Sequence, residues 1–328
     1  MKVCIYGAGA IGGWIGSGLA RAGCSVSVVA RGATLDALQL HGLRLRLREG
    51  EGERITSQAV ASSALPADLG VQDLVVLAVK APSLPDVARH IAPLLGPQTL
   101  VLTAMNGVPW WFLQGFGGAL AGTRLTSVDP DGTLAAALPA QRIIGCVVHA
   151  SCSLPEPGLV QHHFGNKLIL GEPSGEKTAR VQQLAALLEK SGFEAPVSAQ
   201  IQKDIWFKLW GNMTVNPISA LTGATTDLIM NDELVRGFIS SVMLEAKEIG
   251  ARIGIPIDQQ PEDRHQVTRK LGAFKTSMLQ DVQAGKALEL DTLVAAVREL
   301  GQLTGVATPF TDALLGLARL QARVRGLY

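Results

Sequence analysis

Gly7-Ala8-Gly9-Ala10-Ile11-Gly12 follows Val3-Cys4-Ile5-Tyr6, a short β-rich run, and opens a small and apolar stretch up to Ala22 that reads as a helix ending at Gly23. Residues 25–30 then read as a second strand, which makes the first thirty residues a β-turn-α-β unit, the start of a parallel sheet. A G-x-G-x-x-G sequence between a strand and a helix is the pattern of a dinucleotide-binding turn. Each glycine has a task there. Gly7 permits the sharp turn, Gly9 lets the backbone approach a pyrophosphate, and Gly12 lets helix and strand pack closely, while the N–H groups and dipole of the helix start hold the phosphate charge. Gly7, Ala8, Gly9, Ala10, Ile11 and Gly12 are the first candidate binding residues.

The tip of the second strand refines the reading. A site specific for NAD(H) places Asp or Glu there to take the ribose 2′-hydroxyl, but this chain has Val29-Ala30-Arg31-Gly32. Arg31 is suited to charge-assisted bonds with a 2′-phosphate and to stacking on adenine, so NADP(H) is the expected cofactor. Asp36, expected in the following helix, keeps NAD(H) as the alternative.

Farther along, residues 43–48 alternate Leu-Arg-Leu-Arg-Leu-Arg, Glu-Gly-Glu-Gly-Glu forms a turn, and residues 54–58 return, predicting an antiparallel hairpin whose arginines face water. Residues 74–79 and 99–104 are nearly continuous apolar runs, as in a sheet covered on both faces. Further strands are expected over 143–149, 159–164 and 167–170. After about residue 199 the pattern turns helical. The expected fold class is therefore α/β: a Rossmann-type doubly wound parallel sheet over residues 1–199, joined to an all-helical domain over 200–328.

Composition narrows the function. The 328 residues carry 29 Lys+Arg against 28 Asp+Glu, a net charge of +1, without the broad basic surface that nucleic acid or a polybasic membrane anchor requires. Gly-rich residues 7–18 rule out a signal peptide at the start, and no run of 18 apolar residues suggests a membrane span. Four cysteines without a CxxC pair give neither a disulfide nor a zinc framework, which fits a reducing cytoplasm. His162 and His163 are adjacent on a strand and point to opposite faces, so no metal is expected.

The second informative stretch is Trp206-Phe207-Lys208-Leu209-Trp210-Gly211-Asn212-Met213-Thr214-Val215-Asn216-Pro217. Lys208, Asn212 and Asn216 recur every four residues, so a helix puts a cation and two carboxamides on one face, with bulky apolar residues around most of the rest. Pro217 lacks an N–H and is expected to kink or restart that helix.

Taken with Val79-Lys80, Met105-Asn106-Gly107, Pro157-Gly158-Leu159-Val160-Gln161-His162, Ser277-Met278-Leu279-Gln280-Asp281 and Glu289-Leu290-Asp291, these motifs occur in an order that resembles the ketopantoate reductase (2-dehydropantoate 2-reductase) family over nearly the whole length. The resemblance implies NADPH-dependent reduction of a 2-oxo acid to a 2-hydroxy acid, namely ketopantoate to pantoate in pantothenate biosynthesis. By matching position it implies Lys208 as proton donor to the ketone oxygen, and Asn106, Asn212, Asn216, Ser277 and Glu289 as substrate-binding residues. Lys80, Asn106 and Ser151 join the cofactor-binding candidates. The chemistry of Lys208 fits independently, because a partly desolvated lysine gives up its proton more readily and its charge steadies a developing alkoxide.

Three segments depart from the family pattern: the long connection from Asn106-Gly107 to Gly145 with Trp110-Trp111-Phe112, which suggests a lid or an added pocket wall; Thr225-Thr226-Asp227; and Leu293-Val294-Ala295-Ala296, more helical than loop-like. They leave open a bulkier 2-oxo acid as substrate. A 3-hydroxy acid dehydrogenase and a non-catalytic NADPH sensor are the other readings. The helical domain has apolar surface enough for a homodimer.

Overall fold

In a computed structural model of the chain, residues 1–50 and 52–328 are described, with Glu49 as backbone only, so Glu51 of the expected hairpin turn lies outside the described residues. Among the described residues nine strands form one sheet: β1 Lys2–Tyr6, β2 Ser25–Val29, β3 Leu43–Glu49, β4 Gly52–Gln58, β5 Ala61–Ser63, β6 Gln72–Leu77, β7 Leu95–Thr103, β8 Ile143–Glu156 and β9 Leu159–Gly171. The helices are α1 Ala10–Arg21, α2 Gly32–His41, α3 Leu84–His90, α4 Thr133–Ala137, α5 Ala179–Lys190, α6 Ile201–Thr222, α7 Thr226–Asn231, α8 Glu233–Arg252, α9 Pro261–Arg269, α10 Ser277–Gln283, α11 Ala296–Thr304 and α12 Pro309–Val324.

The sheet order is β4-β3-β9-β8-β7-β6-β1-β2-β5. Its right-hand six strands, β8-β7-β6-β1-β2-β5, are all parallel and follow the doubly wound Rossmann order once the β3–β4 hairpin is set aside. The other three extend the edge: β9 runs antiparallel to β8, β3 parallel to β9, and β4 antiparallel to β3. The two short strands expected over 159–164 and 167–170 are one strand, β9, that follows a bulged β8. Arg44 and Arg46 of the hairpin meet Glu156 and Glu53 at 2.9 and 3.6 Å, partly exposed pairs of small energetic weight.

The apolar parallel strands bury Val3, Ile5, Val28, Leu74, Val76, Leu102 and Ile144 completely against α1 and α5. Trp14 of α1 stacks on His162 of β9 at 5.6 Å and meets Phe193 edge-on at 4.7 Å. Burial pushes the Cys4 and Cys152 thiols up to about 12, so both remain protonated, Cys152 packed against that core and Cys4 buried outside it.

The chain divides into two compact units, Met1–Met105 with Thr133–Ile201 and Asn106–Gly132 with Gln202–Tyr328. A single cut near residue 199 misses one feature: the segment Asn106–Gly132 belongs with the helices. Of the lid or added pocket wall suggested there, the packing fits the wall. Trp110, Trp111, Phe112 and Leu113 are at most 4% exposed, and the Glu299 carboxylate on α11 accepts four bonds, from the N–H and hydroxyl of Thr126 and of Ser127, at 2.5–2.8 Å. A segment so packed and bonded is part of the unit's wall.

Among the described residues no helix is long and apolar enough to cross a membrane.

Candidate active site

In the first unit the Gly7–Gly12 turn has the geometry that its glycines predict. Gly7 has φ +99°, in the left-handed region that a side chain disfavours. A Cβ on Gly12 would lie 2.1 Å from the Gly7 carbonyl oxygen and 3.1 Å from Ile5, so helix and strand approach as only glycine allows. A Cβ on Gly9 would meet nothing within 4 Å. Space is open where a ligand's phosphates would approach. Gly9 is the N-cap of α1, with no side-chain cap and no acid in the first turn, which leaves the helix-start N–H groups and dipole to an anion. Ala8, Ala10 and Ile11 lie in this turn and first helical turn.

Arg31 is the N-cap residue of α2, at the tip of β2. Its guanidinium donates to Asp86 of α3, which also accepts from Arg89 at 3.3 Å and lies 3.2 Å from His90. The hydrogen bond from Arg31 holds the Asp86 carboxyl below the usual carboxylate range. Asp86 was missed from sequence because it sits 55 residues beyond Arg31; the only local signal is Asp86-x-x-Arg89-His90, with helical spacing. Lys80 lies in the loop three residues past the end of β6. Ser151 pairs with Phe164 in the β8–β9 hairpin, beyond the parallel part of β8.

The second unit assembles the other candidates. α6 runs from Ile201 to Thr222 with Pro217 inside it, so of the kink or restart expected there the restart does not occur. Trp206 and Trp210 anchor it, donating through Nε1 to the carbonyls of Ala246 and Met243 on α8 at 3.2 and 2.7 Å. Between Ile205 and Ala220 every residue is buried except Phe207, Lys208 and Asn212, which are half-buried. Lys208 and Asn212 therefore open from a helix otherwise enclosed, and Asn216, one turn on, is 8% exposed.

The Lys208 Nζ donates to Asn106 Oδ1 at 2.8 Å, which fixes the amide and leaves its NH2 group to donate elsewhere. Gly107, at φ +83°, lies so close to Thr292 that a Cβ would be 2.7 Å from it, and Val108 N–H donates to the Thr292 carbonyl at 2.8 Å. Thr292 belongs to a single π-helical turn, Asp291–Ala295, immediately after buried Glu289; such turns often accompany functional sites. The Lys208–Asn106 side-chain bond and these backbone contacts bring Asn106, Lys208 and the segment after Glu289 to one place. Ser277, at the start of α10 after the Thr276 cap, is exposed, and among the described residues it makes no side-chain hydrogen bond to them.

Residues 3–175 match the family model described as ketopantoate reductase PanE/ApbA, and residues 200–322 match the model of its C-terminal part. The chain is 47% identical to a 2-dehydropantoate 2-reductase of Mesorhizobium japonicum, with all of both chains covered. It is 54% identical, at a TM-score of 0.94, to a crystal structure described as a candidate ketopantoate reductase from Ralstonia solanacearum MolK2, covering 100% of this chain and 99% of that one. A 2-dehydropantoate 2-reductase structure from Geobacter metallireducens is 26% identical with a TM-score of 0.85, covering 98% and 100%. The expected resemblance thus holds over both halves, and the chain is an oxidoreductase that belongs to the ketopantoate reductase family.

Proposed function

We propose that this chain reduces a 2-oxo acid to the 2-hydroxy acid with NADPH, and that ketopantoate is the acid it converts to pantoate. The observation that carries the reading is the Lys208 Nζ, opened from a buried helix and held 2.8 Å from the Asn106 amide. NADPH would be held by the Gly7–Gly12 turn, with Arg31 on its 2′-phosphate and Lys80 nearby, and would supply the hydride. Open space beside Gly9 and the uncapped start of α1 fit a pyrophosphate there. The relatives' names, which refer to 2-dehydropantoate, support the substrate.

Lys208 gives its proton to the ketone oxygen as negative charge develops on it, and its remaining hydrogen bond to Asn106 keeps the ammonium aimed. Asn106, Asn212 and Asn216 orient the substrate by amide hydrogen bonds. Glu289 accepts a hydrogen bond from a hydroxyl of the substrate. Ser277, exposed at the start of α10, adds a hydroxyl to the set.

The test is loss of NADPH absorbance with ketopantoate and a panel of bulkier 2-oxo acids, using Lys208→Ala as control. Efficient turnover of ketopantoate, abolished by the substitution, is the expected result. If only a bulkier acid is reduced, the cofactor reading stands and the substrate is another; undiminished turnover by the variant removes Lys208 from the chemistry.

A further inference from the structure

Glu289, assigned above to a hydroxyl of the substrate, sits on the short segment between α10 and α11, and one other stretch of chain ties that segment down on both sides of it. The Leu288 N–H, immediately before Glu289, donates to the Leu327 carbonyl at 3.0 Å. Asp291, two residues beyond it, accepts through Oδ1 from the Tyr328 hydroxyl at 2.7 Å. Two consecutive residues thus clasp the flanks of the buried acid.

The clasp is itself held. Gly326, at φ +67°, turns the chain back after α12, and the N–H groups of Gly326 and Leu327 donate to the carbonyls of Arg323 and Ala322 at 3.0 and 2.8 Å, the paired bonds of a Schellman cap. The Leu327 side chain is buried, and the Arg323 guanidinium carbon lies 5.3 Å from the centre of the Tyr328 ring. Burial, and then the bond to the Asp291 carboxylate, raise the Tyr328 phenol above its ordinary pKa, so it remains a donor. On the other side, Asp291 opens the π-helical turn. The Leu293 N–H donates to the Glu289 carbonyl at 3.2 Å, and the Thr292 carbonyl accepts from Val108, two residues past the Asn106 that Lys208 holds. Tyr328 is joined to the site by this short run of bonds and backbone.

We propose that Tyr328 is a positioning residue of this site: through its bond to Asp291, and with Leu327 on Leu288, it fixes Glu289 where that acid meets the substrate's hydroxyl. The proposal rests on the function proposed above and deepens it with a residue that never touches the substrate. A carboxylate displaced by a fraction of an ångström loses most of a directional hydrogen bond, so a group that only steadies its backbone governs recognition. Because Tyr328 is partly exposed, its bond adds little to global stability, and its effect falls on orientation.

The test compares ketopantoate with trimethylpyruvate, which carries hydrogen in place of ketopantoate's hydroxyl and is otherwise the same acid. Tyr328→Phe keeps the ring and removes only the donor. It is expected to lower kcat/KM for ketopantoate by about 3- to 10-fold, the scale of one hydrogen bond, through KM and with kcat near the wild-type value. Turnover of trimethylpyruvate and affinity for NADPH should not change. Asp291→Ala should reproduce the loss, the double variant should add nothing to it, and Asp291→Asn, whose amide oxygen still accepts, should restore most of it. Equal losses for both acids would make Tyr328 merely structural and overturn the proposal, as would undiminished ketopantoate turnover by Tyr328→Phe. Amide hydrogen exchange of the unligated protein gives a readout free of the chemistry. Protection at Leu288 and Leu293 should fall by about 3- to 10-fold in Tyr328→Phe while that of α6 and α8 holds, and unchanged protection at both overturns the clasp whatever acid is reduced. If the wild type reduces neither acid and the two amides still loosen, the proposed reaction fails and the hold of Tyr328 on the Glu289 segment stands.

Discussion

At the scale of single residues, the structure adds to Arg31 a partner that changes what its substitution should do. The spacing predicts an arginine free to take a 2′-phosphate, but Asp86 already accepts from it. A 2′-phosphate must therefore compete with a carboxylate. Arg31→Ala is expected to weaken NADPH by about 1–2 kcal/mol, less than an unopposed charge-assisted bond would cost, and to leave NADH almost unchanged. Asp86→Asn removes the competitor, so NADPH should bind more tightly while NADH, whose 2′-hydroxyl can donate to a carboxylate, should bind less well. Fluorescence titration of both cofactors checks the pair; a loss of both in Arg31→Ala would mean that Arg31 does not read the phosphate. For Lys208→Ala the expected loss in kcat is about 10²- to 10⁴-fold, the usual contribution of a positioned proton donor.

At the scale of elements, the β1-turn-α1 unit was legible because its constraints are local. Gly7 and Gly12 answer to contacts within a few residues, and the sequence period of α1 and β2 needs no partner to be read. The helix α6 was legible for the same reason, since a four-residue spacing of Lys208, Asn212 and Asn216 survives any tertiary arrangement. What could not be read were pairings across long sequence separations: the β3–β4 hairpin joining the far edge of the sheet through β9, Asp86 on Arg31, and Glu299 on Thr126 and Ser127. Of the kink or restart expected at Pro217, the restart does not occur because burial of α6 against α8 outweighs one missing backbone bond. Two substitutions test these elements. Gly12→Ala drives a methyl into the Gly7 carbonyl, backbone against backbone, and should lower stability by roughly 1–3 kcal/mol or prevent folding, as read by thermal denaturation. Glu299→Gln should loosen the 106–132 segment. Burial raises the Glu299 carboxyl pKa, but the bonds from Ser127 and Thr126 outweigh it and hold the folded value below the ordinary one. A depressed folded pKa means that stability is present above the unfolded value, about 4.3, and lost as pH falls through the lower folded value. The wild type should lose this contribution on acidification and Glu299→Gln should show none of that pH dependence, a difference that denaturant melts at graded pH would reveal.

At the scale of the whole molecule, probes and ligands fall unequally on the two units. All nine described strands lie in the first unit, with the Gly7–Gly12 turn, Arg31 and Lys80. Four of the five tryptophans, Trp110, Trp111, Trp206 and Trp210, lie in the second, and Trp14 in the first. In Trp14→Phe, fluorescence therefore reports the helical unit alone, while the infrared sheet band reports the other. A ligand stabilises whatever binds it, by about 2.7 kcal/mol at a hundredfold excess over its Kd. NADPH contacts are assigned almost entirely to the first unit, so NADPH should raise the midpoint of the sheet band more than that of the fluorescence, and the two transitions, measured on one sample, should separate. A substrate mimic, whose assigned partners Lys208, Asn212, Asn216 and Glu289 lie in the second unit, should displace the fluorescence midpoint instead. Equal displacement of both signals by either ligand would show that the chain unfolds as a single cooperative body and that ligand binding energy is shared across it, in which case the division into units describes packing and not stability.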